Sequence, residues 1–254
     1  MTHTVLRQFC AGLLILTPML SPLHAVAQDA SSKIRHVNLP PSVELHYTIK
    51  ANMSGFQVNG EAHLRWQTSG DSYQITTDSR AMIVGKILDA SSQGKLNEQG
   101  LVPLSFTEKR LRRDATSTTF DRQAGRIRFN AASQTYPING GEQDRISVLW
   151  QLIAAARTEP QQFVQGSDWT FFVAGQRDAQ SWTFHVDAQE SIRSPMGTLN
   201  TVRIHKQPPP DQQGQRIDIW LAPALEWYPV RIRTTEADGD TIEQSLASIT
   251  NKVP

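Results

Sequence analysis

Five histidines follow the amino-terminal segment of this 254-residue chain, and histidine is the side chain best suited to bind a metal or move a proton near neutral pH. A metal site on one strand or helix favours an H-x-H or H-E-x-x-H spacing, because each aims two imidazoles at one ion. The chain has neither spacing. We therefore predict no metal site and no cofactor, with the strand histidines facing solvent. The five are His36, His46, His63, His185 and His205.

Serine and carboxylate chemistry is also weakly indicated. A serine nucleophile favours a G-x-S-x-G turn between strand and helix, and none is present; Ser147 stands near a predicted helix start without flanking glycines. Asp144 is interpreted as a helix cap, Asp121 as a turn residue and Glu108 with Arg110 as a charge pair on one strand. We predict no catalytic residue and no enzyme. A cell-wall polymer hydrolase is an alternative, since an unseen carboxylate pair could converge at roughly 5–9.5 Å.

Two groups of residues could bind a ligand without reacting with it. A dense basic run could hold an anionic head group, with a charged strand edge that discourages aggregation as the alternative. Its members are Lys109, Arg110, Arg112 and Arg113. Large apolar side chains could line a cavity beside the predicted helix, with a filled core as the alternative. These candidates are Trp66, Phe106, Leu149, Trp150 and Ile153.

Alternation of apolar and polar residues predicts that strands carry most of these side chains. The alternation begins at Val43–Ile49 and repeats over Phe56–Trp66, where the small residue Gly60 suggests a bend or a close neighbour. Further predicted strands are Ser72–Thr77, Ala81–Ala90, Leu104–Arg113, Thr116–Asp121, Arg126–Asn130, Asp168–Ala174, Ser181–Asp187, Gln189–Ser194, Thr198–Lys206, Arg216–Leu221, Pro229–Ala237 and Thr241–Ile249. About a dozen short antiparallel strands predict a sandwich, a barrel or a curved open sheet.

One segment has the helical period instead. From Ile146 to Ala154, apolar residues stand at i, i+3, i+4, i+7 and i+8, which predicts an amphipathic helix over Asp144–Arg157. Pro160 follows as a stop signal. A lone helix among many strands must lay its apolar face against the sheet, and it could cover the mouth of a barrel.

The amino terminus predicts secretion. Residues 1–27 have a basic start, an apolar run of about 12 residues, too short to span a bilayer, and a small-residue site that favours cleavage after Ala27. We expect a periplasmic protein that is not membrane-spanning after processing. Residues 28–41 are interpreted as a mobile leader and 42–254 as one β-rich domain. Without residues 1–27 the basic and acidic residues balance, which argues against a nucleic-acid partner.

Several motifs together resemble the Domain of Unknown Function 3108 family. They include G-L-V-P-L-S-F-T-E-K-R from Gly100, Q-D-R-I-S from Gln143 and Y-P-V-R from Tyr228. The resemblance implies a periplasmic, β-rich protein whose role is not established, and it supplies no catalytic residues. By fold-level analogy, the family is similar to the lipoprotein-carrier type of curved half-barrel with a helical lid.

These observations predict a mostly β fold: a single curved antiparallel sheet or half-barrel of about a dozen strands with one helix packed on or in it. The leading hypothesis is a non-enzymatic periplasmic protein that binds a hydrophobic or lipid-like envelope component. The alternative is an envelope-assembly scaffold or interaction protein with a fully packed interior. An apolar cavity of ~300–1,000 Å³ would favour binding, and its absence would favour the scaffold.

Overall fold

The computed structural model describes residues 37–208 and 214–251. The predicted signal segment 1–27, residues 28–36 of the predicted leader, and the tip of the polar loop at 209–213 lie outside the described residues. Of the helices that are described, none is both long enough and apolar enough to cross a membrane.

The described residues form one α-helix and fifteen strands, and all fifteen strands belong to a single sheet. The strands are β1 Val43–Met53, β2 Phe56–Ser69, β3 Ser72–Ala81, β4 Gly85–Asn97, β5 Gly100–Arg110, β6 Thr116–Asp121, β7 Arg126–Phe129, β8 Tyr136–Pro137, β9 Gln143–Asp144, β10 Asp168–Ala174, β11 Ala179–Ser194, β12 Gly197–Lys206, β13 Arg216–Ala222, β14 Tyr228–Thr235 and β15 Thr241–Asn251. The helix α1 spans Ser147–Thr158, and short 3₁₀ turns lie at Pro160–Gln162 and Pro223–Leu225.

The topology is a meander with one long-range closure. From β1 to β8 and from β10 to β15, strands that follow each other in sequence are antiparallel neighbours, while β1 also pairs with β15 and so joins the first strand to the last. The sheet order runs from β8 down to β1, then from β15 down to β9, so its two edges are β8 and β9. The two-residue β9 pairs parallel with β10. The predicted single curved sheet is confirmed, and the sandwich alternative is excluded.

Four of the predicted strands differ most clearly from the structure. Ala81–Ala90 is wrong as one strand, because Met82-Ile83-Val84 form the turn between β3 and β4. Leu104–Arg113 extends too far, since β5 ends at Arg110 and the next residues turn, with Arg112 at a φ of 56°. Ser181–Asp187 and Gln189–Ser194 are one strand, β11. A bulge between Val186 and Ala188 shifts the alternation and gives the appearance of two strands.

Two strand glycines allow neighbouring backbones to approach closely. A Cβ on Gly60 of β2 would lie 2.3 Å from the Arg80 carbonyl oxygen of β3, so the close neighbour predicted there is confirmed. A Cβ on Gly94 of β4 would lie 2.2 Å from the Val102 carbonyl oxygen of β5. Both positions therefore exclude any larger residue unless the strands separate.

The helix begins three residues later than predicted. Asp144 pairs with Ala174 in the parallel β9–β10 contact, so its backbone is extended and cannot be helical. Its side chain nevertheless accepts hydrogen bonds from the backbone N–H groups of Ile146 and Ser147, at 3.0 and 2.8 Å. The Asp144 N–H donates in return to Ser147 Oγ at 2.8 Å. The N-cap position is therefore Ile146 and not Asp144 as predicted, although the Asp144 side chain does satisfy two backbone N–H groups at the helix start.

The helix lies inside the curve of the sheet and is buried on most of its surface. Its buried residues are Ser147, Val148, Trp150, Leu152, Ile153, Ala154 and Ala156. Trp150 stacks on Trp66 of β2 with ring centroids 5.1 Å apart, and it meets Tyr228 of β14 edge-on at 6.2 Å. Trp150 therefore joins the two halves of the sheet through one side chain that is only 1% exposed.

We expect Trp150→Ala to be strongly destabilising, because it removes a fully buried indole that several strands surround. The expected loss in unfolding free energy is about 3–5 kcal/mol, measured by urea denaturation. Phe56→Ala is the control, since Phe56 is 75% exposed and its truncation should change stability by under ~0.5 kcal/mol. Equal effects of the two variants would contradict the central position of Trp150.

Candidate ligand-binding cavity

An apolar cavity lies between the first turns of α1 and the concave face of the sheet. Its volume is about 190 Å³. It is larger than the ~150 Å³ apolar cavity that can hold benzene, but smaller than the ~300–1,000 Å³ typical of small-molecule sites. The lining residues are Leu64, Ile75, Thr77, Ser79, Leu88, Arg145, Ile146, Val148, Leu149, Trp150, Trp182, Phe184, Ile217, Ile219, Ile232, Thr234 and Gln244.

The cavity lies towards the end of the sheet that carries the β3–β4 turn. Ser79, near the end of β3, and Leu88, near the start of β4, both line it. The turn between these strands presents Met82-Ile83-Val84, in which Met82 is 81% and Ile83 89% exposed. Strands β1 and β3 run in the same direction, so the β1–β2 turn, with the exposed Phe56, lies at this end too. Exposed apolar side chains therefore mark the end of the sheet nearest the cavity.

The structure places the predicted lining residues in two settings. Leu149 and Trp150 line the cavity, as α1 residues that face the sheet. Trp66, Phe106 and Ile153 are at most 1% exposed and are packed in the interior, outside the lining set. Contact of any of these five side chains with a ligand stays a prediction.

Several wall residues were not predicted from the sequence. They include Trp182 and Phe184 of β11, Ile219 of β13 and Arg145, which precedes the helix. Their alternation identified the strands and their inward faces. The pairing of distant strands that brings them to one cavity could not be read from the alternation.

The predicted head-group patch lies beside the cavity. Lys109 and Arg110 end β5, and Arg112 and Arg113 belong to the turn that follows. Arg110 is the register partner of Leu88, a cavity residue. Its guanidinium pairs with Glu108, which is 4% exposed, so part of the patch is already neutralised by the protein itself.

A buried carboxylate joins the helix start to the opposite half of the sheet. Asp144 is fully buried and accepts a hydrogen bond from Ser92 Oγ of β4 at 2.5 Å; Ser92 Oγ in turn lies 3.1 Å from the Tyr73 hydroxyl of β3. Nearby, Gln143 Nε2 donates to the Leu101 carbonyl of β5 at 2.9 Å. These side-chain bonds hold edge strand β9 against β4 and β5 without a backbone ladder. Burial raises the pKa of Asp144 to about 6.

The raised pKa gives Asp144 a defined effect on stability. The pKa of an aspartate in an unfolded chain is ~3.9, so the folded state binds the proton of Asp144 more tightly than the unfolded state does. The free energy of unfolding therefore falls as pH rises from about 4 to about 6 and Asp144 ionises. We expect Asp144→Asn to remove this loss. In urea denaturation, the free energy of unfolding of the variant should rise relative to that of the wild type by on the order of 2 kcal/mol between about pH 4 and pH 7.

Asp218→Asn provides a control of opposite sign. Burial acts to raise the pKa of Asp218, but hydrogen bonds and charge from Arg216, with the charge of Arg203, lower it overall. The contribution of Asp218 is therefore present at neutral pH and is lost as pH falls through its lowered pKa. The free energy of unfolding of the wild type should therefore rise relative to that of Asp218→Asn as pH rises. Parallel pH profiles for the two variants would contradict the assignment to Asp144.

The histidines form two cross-strand pairs on the outer face of the sheet. His46 of β1 is opposite His63 of β2, with ring centroids 4.3 Å apart, and His185 of β11 is opposite His205 of β12 at 5.4 Å. All four alternate with core residues, but they are half-buried and do not face solvent fully as predicted, since the His63 and His205 side chains are only 23% and 14% exposed.

One of these pairs is a geometric candidate for a metal centre. Among the described residues, Glu44, His46 and His63 place one potential ligand atom each within 4.8 Å of the others. The Arg65 guanidinium lies 2.9 Å from the same Glu44 carboxylate, and its positive charge opposes a divalent cation there. The cross-strand register, which the sequence does not reveal, creates this cluster.

A single curled antiparallel sheet around one buried helix defines a barrel-like β-protein. The chain belongs to the family described as "Protein of unknown function (DUF3108)", whose sequence profile matches residues 44–246. No curated protein matches the chain in sequence.

Two solved structures were matched, and one of them shares the fold. The crystal structure of a beta-barrel-like protein of Domain of Unknown Function DUF1849 from Brucella abortus matches with a TM-score of 0.57 at 14% identity, over 85% of this chain and 100% of that one. This likeness concerns the fold alone. A DUF1329 family protein from Desulfovibrio piger ATCC 29098 matches at 7% identity, over 87% of this chain and 89% of that one. Its TM-score of 0.27 is too low to support a common fold.

Proposed function

We propose that this protein is a non-enzymatic binding protein that holds the apolar part of a lipid-like envelope component between α1 and the sheet. The observation that carries the proposal is the apolar cavity of about 190 Å³ in an otherwise packed interior. Apolar walls of a partly open cavity are in contact with water, and an apolar ligand would remove that surface from water. The proposed periplasmic location rests on the predicted signal segment at 1–27.

The composition of the cavity wall supports binding rather than catalysis. Among the described residues that line it, Arg145 alone has an ionisable side chain. A guanidinium stays protonated and cannot serve as a general base. Thr77, Ser79, Thr234 and Gln244 add polar atoms that could orient a ligand without activating it.

The cavity volume limits what can enter. A space of about 190 Å³ is suited to one small apolar group, such as a length of acyl chain, and not to a whole lipid. The remainder of such a ligand would lie at the open side, near the exposed turn Met82-Ile83-Val84. The proposed ligand is therefore an amphiphile that is only partly enclosed.

The scaffold alternative is supported by the same volume, because it is smaller than the ~300–1,000 Å³ typical of small-molecule sites. In that case the exposed apolar turn Met82-Ile83-Val84 would contact an envelope protein. Native mass spectrometry of protein purified from its own periplasm separates the two functions, because it detects a co-purifying lipid or a co-purifying protein.

Binding can be measured by tryptophan quenching, since Trp150 and Trp182 line the cavity. We expect a terminally brominated dodecanoate to quench the delipidated protein saturably. Leu149→Trp should fill the cavity and weaken binding at least about tenfold. Leu104→Trp is the matched control, because Leu104 is 38% exposed on β5 and does not line the cavity.

Thermal melting establishes whether each variant is folded. If Leu149→Trp does not fold, Leu149→Phe, which adds less side-chain volume to the cavity, takes its place. Absence of saturable quenching in the wild type would contradict the proposal. Equal binding by the Leu149 and Leu104 variants would show that the chain binds elsewhere.

A further inference from the structure

Arg145 occupies an unusual position for an arginine. It lies between β9 and the start of α1, lines the apolar cavity, and has no carboxylate within ion-pair distance among the described residues. Its Nε atom is buried and has no hydrogen-bond partner. The neighbouring Asp144 carboxylate is directed to Ser92 and to the backbone N–H groups at the helix start. Arg145 therefore offers a buried donor that makes no hydrogen bond, next to Gly175.

Lys206 places a second cation behind the same wall, next to residues that line the cavity although it does not line the cavity itself. It ends β12, where its register partners are Phe184 of β11 and Ile217 of β13, both of which line the cavity. Its ammonium lies 4.8 Å from the ring centroid of Trp182, another lining residue. Lys206 is 7% exposed, and its Nζ donates to the Gln215 carbonyl at 3.3 Å.

The two cations affect each other. Burial lowers the pKa of Lys206, and the positive charge of Arg145 lowers it further. No carboxylate lies within ion-pair distance of Lys206 in the part of the chain that the structure describes. Two neighbouring cations that lack a carboxylate partner in an apolar setting are costly, and a bound anion would offset that cost.

We infer that Arg145 and Lys206 form an anion subsite, and that the ligand of the cavity is an amphiphile whose carboxylate or phosphate head group binds there. This inference rests on the proposed function and adds the chemical class of the ligand. A guanidinium and an ammonium are the donors that proteins use for carboxylate and phosphate. The outer patch at Lys109–Arg113 is a separate basic surface, at the end of β5 and in its turn.

The test compares three ligands with the same ten-carbon chain: decanoate, decyl phosphate and decanol. Isothermal titration calorimetry of the delipidated protein at about pH 8, where the carboxylate is ionised, gives each affinity. We expect one or both anions to bind at least about tenfold more tightly than decanol, since hydrogen bonds to charged groups contribute more than neutral ones. The carboxylate and phosphate arms identify which head group is preferred.

Substitutions assign the preference to the two residues. Arg145→Met and Lys206→Met keep an unbranched apolar side chain, so decanol should bind about as before, while the preference for the anion falls several-fold. Arg126→Met is the matched control, because Arg126 is exposed on β7 and does not line the cavity. Arg113→Met tests the outer patch as the competing subsite.

Gly175→Ala offers a gentler displacement of Arg145. A Cβ at Gly175 would lie 2.8 Å from Arg145 Nε and 2.9 Å from its Nη2, so the flexible guanidinium must move while the charge is retained. We expect this variant to fold and to lose part of the anion preference.

Each outcome has a distinct meaning. If none of the three ligands binds, the proposed function fails. If decanol binds as tightly as both anions, or if the preference follows Arg113 and not Arg145 or Lys206, the cavity can still be a binding site but the anion subsite is refuted.

Discussion

The burial of α1 inside the curved sheet is the interaction on which the rest of the structure depends. A single-layer sheet has two faces, and its concave face cannot bury its own apolar side chains. Trp150 contacts both halves of the sheet, through Trp66 on β2 and Tyr228 on β14. The helix therefore takes the place that a second sheet has in a β-sandwich, and the fold needs no closed backbone ladder.

The same helix also determines where the interior is open. Its middle and last turns are tightly packed, with Leu152, Ile153 and Ala156 fully buried. Around its first turn, the side chains of β2, β3, β13 and β14 do not completely fill the space between the sheet and the helix. The cavity lies in this space. Asp144 fixes this end of the helix by accepting hydrogen bonds from Ser92 and Ser147, so one buried carboxylate connects the helix start, edge strand β9 and β4.

The sequence predicted the parts of the fold that depend on local periodicity. The alternation from Val43 identified strands and inward faces, and the spacing from Ile146 to Ala154 identified the one helix. Contacts between distant strands could not be predicted, because the register of β1 with β15 or β12 with β13 is set by the whole sheet. For this reason the cross-strand histidines and the position of Lys206 beside the cavity residues Phe184 and Ile217 were both missed.

The central claim is that an apolar chain enters the space between α1 and the sheet. Its most direct test is methyl-labelled NMR of the protein with bound decanoate, in which intermolecular NOEs locate the chain. The account predicts NOEs from the chain to the methyl groups of Leu149, Ile219 and Ile232, which line the cavity. NOEs confined to the exposed Met82-Ile83-Val84 turn, or none at all, would contradict it.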